Sequence, residues 1–252
     1  MTMKSYLSIA AAAVLTLTIT TGCNNDHGSA VVPATTIYPY YGVFATPAVT
    51  SGISYTCSDA DGMVYTTQTD ENGTFGPCVV GKPVVFAMGG AELGQFTAKD
   101  TNQTNNVVIA EKMEPLAANT TQTALVTAVT DTNEPLTIGE KVASSVASLD
   151  YDGNASNGCL ITETAAKSFA KVVEENGGDF EAIDDAKLET VVAQAVNVFI
   201  NEDKNATAKV VSVKDAQDIQ DDTNDKVNKG EIAPPPPPPP VIVEPTPPPT
   251  GS

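Results

Sequence analysis

The chain contains no Trp and no Arg, has a single His, and only 6% of its 252 residues are aromatic. Without Arg, the planar fork that grips phosphate and carboxylate groups in two-pronged fashion is missing, and every cation is a Lys. The one histidine, His27, lies in a polar stretch ahead of the first strand-like run. No His-activated nucleophile and no His-based zinc cluster can therefore be assembled in the folded part. No Gly-rich loop stands between a strand pattern and a helix pattern to cradle phosphate. Basic residues are scarce as well: 13 against 31 acidic ones, for a formal net charge of -18. A field of that sign repels phosphate backbones, so nucleic acid is not an expected partner, and it repels anionic lipid surfaces too. With so few aromatics, the core must be built from Val, Ile, Leu and Ala, for which the 41% hydrophobic content is sufficient. The length allows one or two small domains, and no internal repeat points to a solenoid or propeller.

Within residues 1–22 there is one early charge, Lys4, then an apolar run from Tyr6 to Ile19, then Thr20-Thr21-Gly22 leading to Cys23. The run is too short to span a membrane and has the form of a secretory signal. Together with Cys23 it resembles the precursor of a bacterial lipoprotein, with Thr20 standing where that family prefers Leu. The resemblance implies cleavage before Cys23, a diacylglycerol thioether and an acyl chain such as palmitate on Cys23, and residues 23–35 as a flexible tether. Asn24 follows the cysteine, and the absence of Asp there implies the outer membrane.

Residues 36–130 read as β structure. Short runs rich in β-branched and aromatic residues, such as Ile53–Cys57, Met63–Thr67, Pro83–Ala87 and Val107–Ala110, alternate with the turn signals Asp61-Gly62, Asn72-Gly73, Gly76-Pro77 and Gly89-Gly90. Asn72-Gly73 favours a two-residue hairpin in which both central residues take positive φ. Many short strands with frequent turns indicate a small antiparallel sandwich. Cys57 and Cys78 flank the hairpin region and are candidates to pair in an oxidising compartment. That leaves Cys159 as a buried small hydrophobe, a partner in an intermolecular disulfide, or a sign of different pairing. Over residues 50–98, the Asp70-Glu71-Asn72-Gly73 turn ahead of Phe75 and the Val84–Met88 run resembles a carboxypeptidase-regulatory-like or prealbumin-like β domain. That likeness implies a noncatalytic binding or spacer module.

Over residues 131–200 the period changes to helical. Thr137 and Glu140 have capping-box spacing, and Ile138, Val142, Val146 and Leu149 follow on one face. A second helix is expected over Glu163–Glu175, stopped by Gly177-Gly178. A third opens near Asp184-Asp185 and carries Leu188, Val191, Val192, Ala195, Val196 and Phe199. These stripes are expected to cover the sheet, which gives an α+β fold. Residues 201–252 read as a disordered tail, first acidic and then proline-rich. Seven consecutive prolines, Pro234 to Pro240, make a stiff extended spacer or a ligand for aromatic grooves.

The densest polar cluster, Asp150 to Gly158, joins the first two helices. Asp150, Asp152, Asn154 and Asn157 offer hard oxygens in a Gly-bent loop, as a Ca2+ ion requires. An EF-hand register fails, because placing Gly153 sixth puts Cys159 twelfth, where a bidentate Glu belongs. The alternative is a turn that uses Asp and Asn for local hydrogen bonds. Asp150, Asp152, Gly153, Asn157 and Gly158 also resemble a segment of bacterial surface lipoproteins, Leu-Asp-x-Asp-Gly-x-x-x-Asn-Gly, which implies surface display. Five Asn-x-Ser/Thr triplets occur, and those at Asn72, Asn102, Asn154 and Asn205, unlike that at Asn119, carry Asp two residues upstream. That extended form is similar to the acceptor of a bacterial oligosaccharyltransferase and marks the four as candidate N-glycosylation sites.

No resident cofactor other than a candidate Ca2+ is expected. The chain reads as a noncatalytic, lipid-anchored envelope protein that binds an extracellular or envelope protein or a glycan. A periplasmic scaffold using the proline-rich tail as a spacer is the alternative, and a carboxylate-dependent hydrolase comes third.

Overall fold

The computed structural model describes residues 34–116 and 135–243. The expected signal segment over residues 1–22, Cys23, His27, Asn119 and the prolines after Val243 lie outside the described residues. The expected α+β class is what the described residues adopt, with mainly antiparallel sheets, two short parallel pairings and four α-helices.

The sandwich is built from two facing sheets. One has three strands: β2 (Pro39–Phe44) lies between β6 (Thr74–Val79) and β9 (Val107–Val108). The other has four, in the order β5 (Val64–Gln68), β4 (Ser54–Ser58), β7 (Pro83–Met88) and β8 (Ala91–Thr97). In β4 and β7 alternate residues point inward, as the two-residue period of a pleated strand requires. Tyr55 and Cys57 from β4 and Val84, Phe86 and Met88 from β7 are buried against Tyr40, Phe44 and Phe75 of the opposite sheet. The few aromatics are concentrated at this seam, with Phe44–Phe86 ring centroids 4.8 Å apart and Phe75–Phe86 at 5.3 Å, edge to face.

Cys57 and Cys78 form a disulfide with a Cα–Cα separation of 5.7 Å. The pair joins β4 to β6, across the two sheets, rather than closing one hairpin. The turn at Asn72-Gly73 accordingly differs from the expected two-residue hairpin. It carries the chain from β5 in one sheet to β6 in the other, and Gly73 alone takes positive φ, at 68°, while Asn72 does not. The reason is the carboxylate of Asp70, which accepts the N–H groups of Asn72 at 2.9 Å and Thr74 at 2.8 Å and holds a wider turn.

Helix α1 (Ile138–Ser148) begins with the capping box: the Thr137 hydroxyl accepts the Glu140 N–H at 3.2 Å, and Glu140 accepts the Thr137 N–H at 2.7 Å. Its second residue, Gly139, is held where a Cβ would sit 1.9 Å from the Ala110 carbonyl oxygen, so the helix start abuts the segment after β9. Helices α2 (Glu163–Glu175) and α3 (Asp185–Glu202) pack against each other, with α2 resting on β7 and β8. Their apolar stripes and the sandwich interior belong to one continuous core, so the β and helical segments are parts of one folded body.

Residues 201–243 correct the expectation of a disordered tail. Residues 213–228 form helix α4 (Val213–Asn228), which packs on α1. Its apolar content is low, but Ala216, Gln220, Thr223 and Val227 are buried at helical spacing, and polar Gln220 is satisfied within the body. The proline run then leaves α4 with Pro234 buried, its carbonyl accepting the Gln103 side-chain amide at 2.6 Å. It ends in β11 (Val241–Val243), which pairs antiparallel with β1 (Thr35–Ile37), Thr35 opposite Val243. The prolines are therefore a strut between α4 and the chain's first strand.

Candidate functional site

The loop after α1 is shaped by one buried carboxylate. Leu149 is fully buried and delivers Asp150, 1% exposed, beneath the loop. Asp150 Oδ2 accepts the Asn154 N–H and Oδ1 accepts the Leu160 N–H, each at 2.9 Å, so both ends of the loop are drawn to one side chain. Asp152 Oδ1 accepts the Asn154 N–H at 2.8 Å and Oδ2 accepts from the Asn157 amide at 3.0 Å. Gly153 takes φ 67°, and a Cβ there would lie 2.4 Å from the Thr207 carbonyl oxygen, so only glycine lets the segment after α3 cross the loop. Thr207 secures that crossing, its hydroxyl donating to the Asp152 carbonyl at 2.7 Å.

The far end of the loop becomes β10 (Cys159–Leu160), which pairs parallel with β3 (Thr50–Ser51) of the sandwich. A cleft of about 380 Å3 opens beside this junction, lined by Glu71, Asp150, Asp152, Asn157 and Cys159 among others. Glu71 comes from the β5–β6 turn, 79 residues earlier than Asp150, and only the folded sandwich brings it here. Burial pushes the Asp150 carboxyl up from 3.8 to about 6, with a proton shared toward Asp152 as the next contribution. The hydrogen bond from Asn157 holds Asp152 below the ordinary carboxylate range. Burial pushes the Cys159 thiol well above its usual range, which leaves it a poor nucleophile and metal ligand.

The four candidate calcium ligands are thus neighbours, but the carboxylate oxygens of Asp150 and Asp152 already accept hydrogen bonds from within the loop. Asp150 uses both carboxylate oxygens on N–H groups, and Asn157 presents its N–H2 to Asp152. Among the described residues, no group of three or more His, Cys, Asp or Glu side chains is placed to hold a metal ion. The chemistry of the loop is that of a turn locked by Asp, in which ionisation of Asp150 is the variable.

The four candidate glycosylation sites share one geometry. In each, the Asp two residues upstream accepts the backbone N–H of the Asn: Asp70 to Asn72 at 2.9 Å, Asp100 to Asn102 at 2.8 Å, Asp152 to Asn154 at 2.8 Å and Asp203 to Asn205 at 3.0 Å. All four Asn are exposed. The Asp-x-Asn spacing that stands out in the sequence therefore has a folding role of its own, because an Asp carboxylate mimics a backbone turn in this way.

No protein-family model, curated protein or solved structure matches the chain. No helix among the described residues is long and apolar enough to cross a membrane.

Proposed function

We propose that this protein is a noncatalytic lipoprotein of the bacterial cell envelope, anchored at the outer membrane through acyl chains on Cys23. Its folded body would bind an extracellular or envelope protein or glycan. The observation that carries the reading is the apolar run from Tyr6 to Ile19 ending in Thr20-Thr21-Gly22-Cys23. The Cys57–Cys78 disulfide supports it, since such bonds persist in oxidising compartments outside the cytosol. Exposure of Asn72, Asn102, Asn154 and Asn205 is what glycan attachment at those positions requires. The scaffold alternative is less well served, because Pro234 to Pro240 return to the first strand instead of reaching outward.

Protease shaving of intact cells, with a permeabilised control, tests surface display. Peptides from residues 50–200 released from intact cells support it, and release only after permeabilisation removes the adhesion reading. Intact mass of natively extracted protein tests the covalent claims. A mass equal to the bare chain from Cys23 would exclude both acylation and glycans.

A further inference from the structure

Among the described residues, nothing covers the ribbon of β1 and β11. Neither strand pairs with any other described strand, and Val241, Ile242 and Val243 are 36%, 67% and 44% exposed, with Tyr38 beside them at 50%. A two-stranded ribbon standing alone is marginal in water, and four exposed apolar side chains on it are a surface that asks for an apolar neighbour.

Two features say which neighbour. The first is where the chain goes next. Residue 34 is eleven residues from Cys23, so an anchor at Cys23 keeps the ribbon within about 40 Å of the bilayer even with the intervening chain fully extended. The second is charge. In a chain of net charge -18, residues 28–58 and 232–243 contain no Asp, Glu, Lys, Arg or His. The ribbon and the proline strut leading to it therefore carry no charge of their own, and anionic headgroups do not repel these segments as they repel the acidic remainder. Tyr, with an apolar ring and a polar hydroxyl, suits the boundary between headgroups and acyl chains.

We propose that the β1–β11 ribbon, with Tyr38, seats on the lipid interface to which Cys23 tethers the chain, and so fixes which side of the body faces the membrane. This rests on the lipid-anchor reading. Seating turns the tethered body from a freely tumbling one into an oriented one. The ribbon and the end of the strut that leads into it then face the bilayer.

The absence of Trp supplies the probe. The chain from Cys23 onward, bearing Ile242→Trp as its one Trp, is coupled through Cys23 to a maleimide-headgroup lipid in phosphatidylcholine–phosphatidylglycerol vesicles. Cys57 and Cys78 are paired and Cys159 is buried, so coupling is selective. A second protein carries Met63→Trp at the β4–β5 turn, where Met63 is 66% exposed. The expected result is a blue shift of the indole emission from position 242 with quenching by brominated acyl chains, and water-like emission from position 63. Water-like emission from both, or equal shifts at both, would overturn the proposal. A blue shift that appears without vesicles and grows with protein concentration would overturn it in favour of a second copy on the ribbon. Coupling through maleimide makes the measurement independent of acylation in the cell. A bare native mass would therefore sink the anchor reading alone, and a water-exposed ribbon would sink only the seating.

Discussion

The side-chain amide of Gln220 donates to the carbonyl oxygen of Ala45 at 3.2 Å, joining the last helix to the end of the second strand. The same side chain accepts the Ala110 N–H, also at 3.2 Å, so one fully buried residue of α4 satisfies backbone groups just beyond the ends of the neighbouring strands β2 and β9. Gln220→Ala leaves both groups buried without partners. The expected cost is about 2–4 kcal/mol, since each such orphan costs roughly 1–3 kcal/mol. Chemical denaturation measures it, and limited proteolysis should cut first between α3 and α4 in the variant. Asp218→Ala, on the exposed side of the same helix, is expected to stay within about 0.5 kcal/mol of the parent.

Cys57→Ser with Cys78→Ser is expected to lower stability by roughly 2–4 kcal/mol, as loss of a cross-link over a loop of this size does. Because the bond ties the two sheets together, the loss should appear as a lower midpoint of the whole unfolding transition. The same protein, kept native, should show no thiol reaction at Cys159, which is 4% exposed. Thiol titration before and after denaturation distinguishes the two states.

The raised Asp150 carboxyl gives a signed dependence on pH. The native state holds this proton more tightly than the unfolded chain does, with values of about 6 against 3.8. Its contribution is fully present below pH 3.8 and is lost as pH rises through 6. The parent's unfolding free energy should therefore fall between about pH 4 and 7 more steeply than that of Asp150→Asn, by on the order of 2 kcal/mol. Asp152 is shifted the other way, so its effect falls below pH 3.8 and does not overlap that window. Equal slopes for parent and variant would show that Asp150 does not titrate in the native loop as described.

Calcium titration is expected to leave the thermal midpoint of the parent unchanged, because the oxygens of Asp150 and Asp152 are already taken by donors within the loop. A midpoint that rises with Ca2+ and fails to rise in Asp152→Ala would restore the loop as a cation site.

The parts of this fold that can be read in the sequence are those where local chemistry and periodicity agree. Thr137 and Glu140 announce α1, Glu163–Glu175 has the observed bounds of α2, and the apolar repeat from Leu188 to Phe199 is the buried face of α3. Helix α4 escapes such a reading because Gln220 and Thr223 occupy core positions that a hydrophobic pattern assigns to apolar side chains. The β1–β11 and β3–β10 pairs escape it for another reason. They are two or three residues long, and their partners lie about a hundred or more residues away, so neither period nor turn chemistry betrays them. In the Asp150 loop the residue types were legible as a cluster. Which oxygen serves which N–H was not, and neither was the arrival of Glu71.

The strand pairing that closes the chain also decides how the protein meets mechanical load. Thr35 lies opposite Val243, so the incoming and outgoing chain leave the ribbon at the same end. A pull between an anchored N-terminus and anything holding the C-terminus opens that ladder one hydrogen bond at a time, from Thr35 toward Ile37. It does not shear the ladder as a unit. The next grip is Gln103 on Pro234, at the base of the strut. The ribbon is thus placed to yield first, ahead of the disulfide-linked sandwich.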